Sequence, residues 1–186
     1  MIDRNIQKNI STYILSFILF CTPFFLMSKD GAKPITVGEA KFSLKDSVIY
    51  LPKNSKNFTL KLKGNFSKHW GIYGLSPVVD EDGFGPQATE ITVTPDSTFK
   101  IEGKIKSGKS YVHYDPEYKM DVEKFKESVD FTIPVSIESI PESGKITGKI
   151  SILYQLCADA SCTTPNDYTR TFTVYFKDKK NSKKGK

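Results

Sequence analysis

The chain is poor in the residues that most site chemistry needs. Its 186 residues hold two histidines, three cysteines and one tryptophan. His69 and His113 are far apart and give no local ligand pair, so the spacing of a common His/Cys metal site is missing. No G-x-S-x-G, H-E-x-x-H or phosphate-cradling glycine loop occurs. That removes the motif-based hydrolase, metalloprotease and nucleotide-binding readings, and no cofactor is implied. Asp80-Glu81-Asp82-Gly83 starts like a calcium loop but lacks the later ligands and the closing glutamate, so it reads as an acidic turn. A helical period of useful length is absent as well, which leaves an all-β chain.

Long apolar runs are equally scarce. Tyr13–Met27 is almost wholly apolar, interrupted by Ser16, Thr22 and Pro23, and follows the basic residues Arg4 and Lys8. This pattern is short for a membrane span and reads as a secretory signal over residues 1–32, with an N-terminal anchor as the other reading. Cleavage is expected between Ser28 and Lys33 and would remove Cys21. Export would place the remaining two cysteines in an oxidising compartment.

The net charge of +6 is unevenly spread. The tail Lys177–Lys186 has six lysines against one aspartate and so carries five of those charges, leaving the body near neutral. No aromatic residues interleave with these lysines, so the pattern is not that of a nucleic-acid-binding face. Residues 177–186 read as a basic, disordered, solvated tail, with attraction to anionic lipid as the alternative.

What is present between these ends is period two. Phe58, Leu60 and Leu62 alternate with Thr59, Lys61 and Lys63; Phe99 and Ile101 with Lys100 and Glu102. Phe131, Ile133, Val135 and Ile137 form another such series, Ile146, Ile150, Ile152 and Tyr154 a third, and Phe172, Val174 and Phe176 a fourth. Such alternation marks strands with one buried face. Further strands are expected at 41–44, 47–51, 70–75 and 90–94. Short strands separated by Gly, Pro, Asn and Asp predict a β-sandwich over residues 33–176. Pro134 predicts an edge strand or a bulge. Asp115–Glu127 is expected to hold a short turn or helix, with Asp115 as its N-cap and Pro116 at its first position. Trp70 and Tyr73 read as core residues.

The chemistry concentrates in Tyr154-Gln-Leu-Cys157-Ala-Asp-Ala-Ser-Cys162-Thr-Thr-Pro165. The stretch lies between two strand patterns, 145–156 and 168–176, and reads as a hairpin tip. Opposed cross-strand cysteines come within bridging range, so a reversible Cys157–Cys162 disulfide is expected. A loop this short gains only about 2 kcal/mol from closure, less than a long one. Structural staple and exchange centre both remain open on geometry. Strand phase places Leu156 inward and Cys157 on the wetter side. Asp159, between the cysteines, would raise a thiol pKa by like-charge repulsion.

This stretch resembles the redox hairpin of the N-terminal periplasmic domain of DsbD, the thiol:disulfide interchange protein. That family reads approximately Tyr-Gln-x-Cys-x-Asp-…-Cys-x-Pro-Pro, and Thr164 departs from it. His69-Trp70-Gly71-Ile72-Tyr73 is similar to the family's Trp-His-Ile-Tyr segment with its first two residues exchanged. Tyr114-Asp115-Pro116-Glu117-Tyr118-Lys119-Met120 resembles its cap segment. The likeness spans roughly residues 40–176 and implies an immunoglobulin-like antiparallel β-sandwich with a redox-active hairpin. It further implies that Cys162 attacks, Cys157 resolves, and an aromatic cap residue, carried over as Tyr118, shields the cysteines and lifts for a partner. Thioredoxin-like periplasmic proteins are the implied acceptors. A separate membrane electron donor of DsbD or CcdA type is the implied source, since no spanning electron-transfer domain or thioredoxin domain follows. Two other classes remain. One is a non-catalytic adhesion or binding module with a structural bridge. The other is a copper-handling module using Cys157, Cys162 and Met120, because thiolate and thioether suit Cu(I).

Overall fold

A computed structural model of the chain describes residues 38–76, 78–158 and 161–177. The signal or anchor reading, nearly all of the basic tail, and Asp159 lie outside the described residues. The described chain is all β: β1 (Ala40–Leu44), β2 (Val48–Pro52), β3 (Asn57–Phe66), β4 (Gly71–Tyr73), β5 (Glu90–Thr94), β6 (Phe99–Ile101), β7 (Tyr111–Asp115), β8 (Met120–Lys126), β9 (Ser128–Ile137), β10 (Lys145–Tyr154), β11 (Leu156–Ala158), β12 (Ser161–Cys162) and β13 (Asn166–Lys177). Among these residues no helix is long and apolar enough to cross a membrane.

Three sheets result. The first runs β1-β3-β9-β6, the second β2-β13-β10-β5, and the third β12-β11-β4-β8-β7. The first two face one another as an immunoglobulin-like sandwich. Their alternating apolar residues meet in one core, where Leu60, Leu62, Phe131 and Ile133 of the first sheet lie with Ile150, Ile152, Phe172 and Val174 of the second. Phe172 reaches across to Phe58 and Phe99, with ring centroids 5.8 and 5.3 Å away. Gly148 makes this crossing possible. A Cβ there would fall 2.5 Å from the Phe172 ring and 2.7 Å from Phe99, inside any real carbon contact.

Several local expectations change. The 115–127 segment forms two strands, not a helix. β7 and β8 pair from Tyr111↔Lys124 to Asp115↔Met120, leaving residues 116–119 as the turn. Asp115 therefore caps no helix; its Oδ1 accepts the Glu117 N–H at 3.1 Å, an Asx turn. Lys119 sits at φ 55° where the turn closes. Pro134 is not on an edge: β9 lies between β3 and β6. Its carbonyl accepts the Glu102 N–H, so its missing N–H faces the same side, where β6 has already ended at Ile101. One pairing, β2 with β13, is parallel.

The cysteine stretch also departs from a simple tip between two long strands. β10 and β13 stay paired down to Tyr154↔Asn166, and beyond them β11 and β12 pair with each other as a hairpin of their own. That hairpin joins the third sheet through β11 and β4, with Leu156↔Ile72 and Cys157↔Gly71. Thr163 clasps its base: the Thr163 N–H donates to Leu156 O at 2.8 Å, and Thr163 Oγ1 accepts from Leu156 N–H and Asn166 Nδ2.

Candidate functional site

The third sheet has two covered faces. Ile72, Phe125 and Leu156 point into the sandwich core. Their neighbours Tyr73 and Cys157, together with Val122, point the other way and form a second, small cluster, against which Tyr118 and Met120 pack. Strand phase therefore placed Cys157 on the correct side, but that side is not wet. Cys157 is 3% exposed because the β7–β8 hairpin lies over it.

Cys157 and Cys162 oppose each other in the β11–β12 ladder and form a disulfide, with Cα atoms 4.1 Å apart. Their environments differ: Cys157 is buried and Cys162 is exposed. The Tyr73 hydroxyl lies 3.9 Å from Cys162 Sγ and donates to Asp115 Oδ2 at 3.1 Å. Lys124 Nζ donates to the same carboxylate oxygen at 3.1 Å and stands 4.5 Å from the centre of the Tyr73 ring. Asp115 and Lys124 are each 5% exposed, so the ion pair lies almost wholly inside the protein. Register explains the meeting. Tyr73 opposes Lys124 across β4–β8, and Asp115 follows on the same face at the end of β7.

Electrostatics follow from this packing. Burial pushes the Tyr73 hydroxyl well above the ordinary phenol range, and the charge and hydrogen bond of Asp115 push it further. For Asp115, burial pushes the carboxyl up, but the hydrogen bonds from Lys124 and Glu117, with the Lys124 charge, outweigh it and hold the carboxyl below its usual range. Burial, then the charges of Glu117 and Asp115, raise Tyr118. The result is an ionised carboxylate fixed under a neutral phenol that touches the exposed cysteine.

The cap has two parts. Tyr118 meets Tyr73 edge-on, with centroids 6.2 Å apart. Phe84, 61% exposed, packs on the outer side of Tyr118 at 5.4 Å. Phe84 is held there by the acidic turn, in which Asp80 Oδ1 accepts the N–H groups of Asp82 and Phe84. Among the described residues no three His, Cys, Asp or Glu side chains converge on a possible metal position.

Of the residues expected from sequence, Cys157, Cys162, Asp115 and Tyr118 come together here. Tyr73, read as core, is buried as expected but in this cluster beside the sulfur, not in the sandwich interior. Lys124 and Phe84 were missed. Lys124 had a legible signal: in Met120-Asp-Val-Glu-Lys-Phe-Lys it shares the phase of Val122, a lysine on an apolar phase. Phe84 had none, because it lies outside any strand.

No family model matches the chain, and no curated protein matches it. Among solved structures it is similar to the reduced N-terminal domain of Neisseria meningitidis DsbD, with 13% identity over 68% of this chain and 87% of that one, TM-score 0.43. It is also similar to BcpA, the major pilin subunit of Bacillus cereus, with 13% identity, 74% and 40% coverage, TM-score 0.44. AggA, the major subunit of aggregative adherence fimbriae type I from Escherichia coli, has 9% identity, 76% and 96% coverage, TM-score 0.40. At such identities and TM-scores these likenesses carry no argument about this chain.

Proposed function

We propose that this protein is an exported thiol–disulfide interchange domain of the DsbD N-terminal kind. It passes electron pairs from a membrane donor to thioredoxin-like periplasmic proteins through Cys157 and Cys162. The observation that carries the reading is the asymmetry of the pair: one sulfur belongs to a buried, capped residue and the other to an exposed edge strand. A staple needs no such difference, whereas exchange depends on which sulfur a partner can reach.

The steps balance as follows. A donor thiolate attacks Sγ of Cys162, a mixed disulfide forms, and Cys157 leaves as a thiolate. The donor's second thiol then attacks its own sulfur in the mixed bond, the donor departs oxidised, and Cys162 is released reduced. In the second half, the Cys162 thiolate attacks the acceptor's disulfide, and Cys157 attacks Cys162 Sγ. The acceptor leaves as a dithiol, and the Cys157–Cys162 bond is restored. The Tyr73 hydroxyl lies 3.9 Å from Cys162 Sγ, and donating to a thiolate there would mean giving up its bond to Asp115 Oδ2. Opening of the β7–β8 turn, with Tyr118, would expose Cys157 for the resolving step.

The test is trapping with a thioredoxin-like domain carrying a reactive disulfide. Reduced Cys157→Ser should accumulate a mixed disulfide through Cys162, and Cys162→Ser should not. No adduct with either variant would overturn the reading, and an adduct only with Cys162→Ser would reverse the roles. One observation favours a copper-handling alternative: Met120 packs against the cluster that contains Cys157. Stoichiometric Cu(I) uptake by the reduced protein, lost in Met120→Leu, is the result that reading requires.

A further inference from the structure

The outer face of the second sheet holds a surface that exchange does not use. Ile49, Leu51, Val174, Phe176 and Ile146 turn toward the core, so Val48, Tyr50, Tyr175, Lys177 and Lys145 turn outward at one corner. Tyr50 opposes Tyr175 across β2–β13, and Tyr175 opposes Lys145 across β10–β13. The two rings stack at 5.4 Å. Lys177 Nζ stands 3.7 Å over Tyr50, and Lys145 Nζ 5.6 Å from the Tyr175 ring centre. Tyr50 is 59% exposed and Val48 48%. The carboxylates on the strands of this face, Glu90 and Asp167, lie at its far end, both opposite Leu153. The chain leaves this same corner at Lys177 and continues into Lys179, Lys180, Lys183, Lys184 and Lys186.

We propose that this corner is a docking surface for an anionic lipid bilayer. Tyrosine rings are amphipathic and settle at the headgroup level, and basic residues beside them meet lipid phosphates. Stacking on Tyr50 and Tyr175 positions the two ammonium groups without neutralising them, since a ring face carries no net charge. The tail lysines add long-range attraction; the structured corner gives it a place and an orientation. The proposal stands independently of the redox reading.

The test uses the full chain with vesicles of phosphatidylcholine alone and of an equimolar mixture with phosphatidylglycerol. Insertion of the apolar Tyr13–Met27 segment would act on both, so the preference between them isolates the basic surface. We expect at least about tenfold tighter binding to the anionic vesicles at low salt, fading as the screening length shortens. Lys145→Glu with Lys177→Glu should cut that preference about tenfold or more while leaving the circular dichroism spectrum unchanged. Tyr50→Ser should weaken the residual binding at high salt a few-fold. Equal binding to both vesicles, or to neither, overturns the proposal. A preference untouched by the two lysine reversals overturns it too, because the tail alone would then account for it.

Discussion

The two faces of the third sheet were built to different rules. On one, Ile72, Phe125 and Leu156 complete an apolar core of alternating strands. On the other, Tyr73 and Cys157 share a small space with a buried Lys124–Asp115 pair. Burying a charge pair is a poor way to gain stability, because desolvation offsets most of the attraction and apolar replacements often do as well. The first face holds the fold. The second keeps polar groups in a fixed arrangement next to one sulfur. If this contrast is right, substitutions on the core face should change stability without changing exchange in the folded protein, and substitutions on the site face should change both or exchange alone.

The largest effect should come from the sulfurs. Cys162→Ser should abolish exchange, although losing the short-loop bridge costs only about 2 kcal/mol of stability, read by urea unfolding. Phe131→Ala, on the core side, should cost about 3–5 kcal/mol, yet leave the exchange rate of the folded fraction unchanged. Equal losses of exchange in both variants would erase the distinction between the faces.

Next comes the ion pair. Lys124→Met leaves Asp115 buried without its cation and should cost about 3–5 kcal/mol. Adding Asp115→Leu should recover much of that loss. The recovered protein should still exchange thiols abnormally, because Tyr73 has lost its acceptor. Recovery of stability together with normal exchange would reduce the pair to packing.

The pH dependence should be smaller. The Asp115 carboxyl is held below its ordinary value, so its contribution is fully present above the unfolded value of about 4. It is lost as pH falls through the lower folded value, where the folded state must take up a proton. Melting temperature should therefore fall in that acidic window more steeply in the parent protein than in Asp115→Asn. Parallel curves would contradict the assigned ionisation.

The smallest stability effect should be at the cap. Tyr118 is only half-buried, so Tyr118→Ala should cost about 1 kcal/mol, while alkylation of Cys157 in the reduced protein speeds up several-fold. Phe84→Ala should move in the same direction by less. Unchanged alkylation in both would show that the β7–β8 turn is not a cover.

Most of the sandwich was legible because its strands keep one face apolar and one polar, as in Phe58–Leu62 and Phe131–Ile137. The third sheet was harder to read because both of its faces are covered. β8 buries Val122, Lys124 and Phe125 together, which breaks the alternation and let residues 115–127 pass for a turn or helix. For Cys157, phase gave the side opposite the sandwich core, and only the expected cap around Tyr118, not the phase, spoke to whether that side is covered. The cysteine pairing was readable from two residues at hairpin spacing. The Tyr73–Asp115–Lys124 network was not, since it joins three strands through registers that no local pattern encodes. Pro134 misled because sheet position depends on where a neighbour ends, here β6 at Ile101.

The most direct test of the central claim is the reduction potential of Cys157–Cys162. It is measured by equilibrating the protein in glutathione buffers, alkylating the free thiols and weighing the products. Exchange chemistry requires a bond that partners can reduce, so a value of roughly −180 to −240 mV is expected. A value below about −300 mV would mark a structural bond and contradict it.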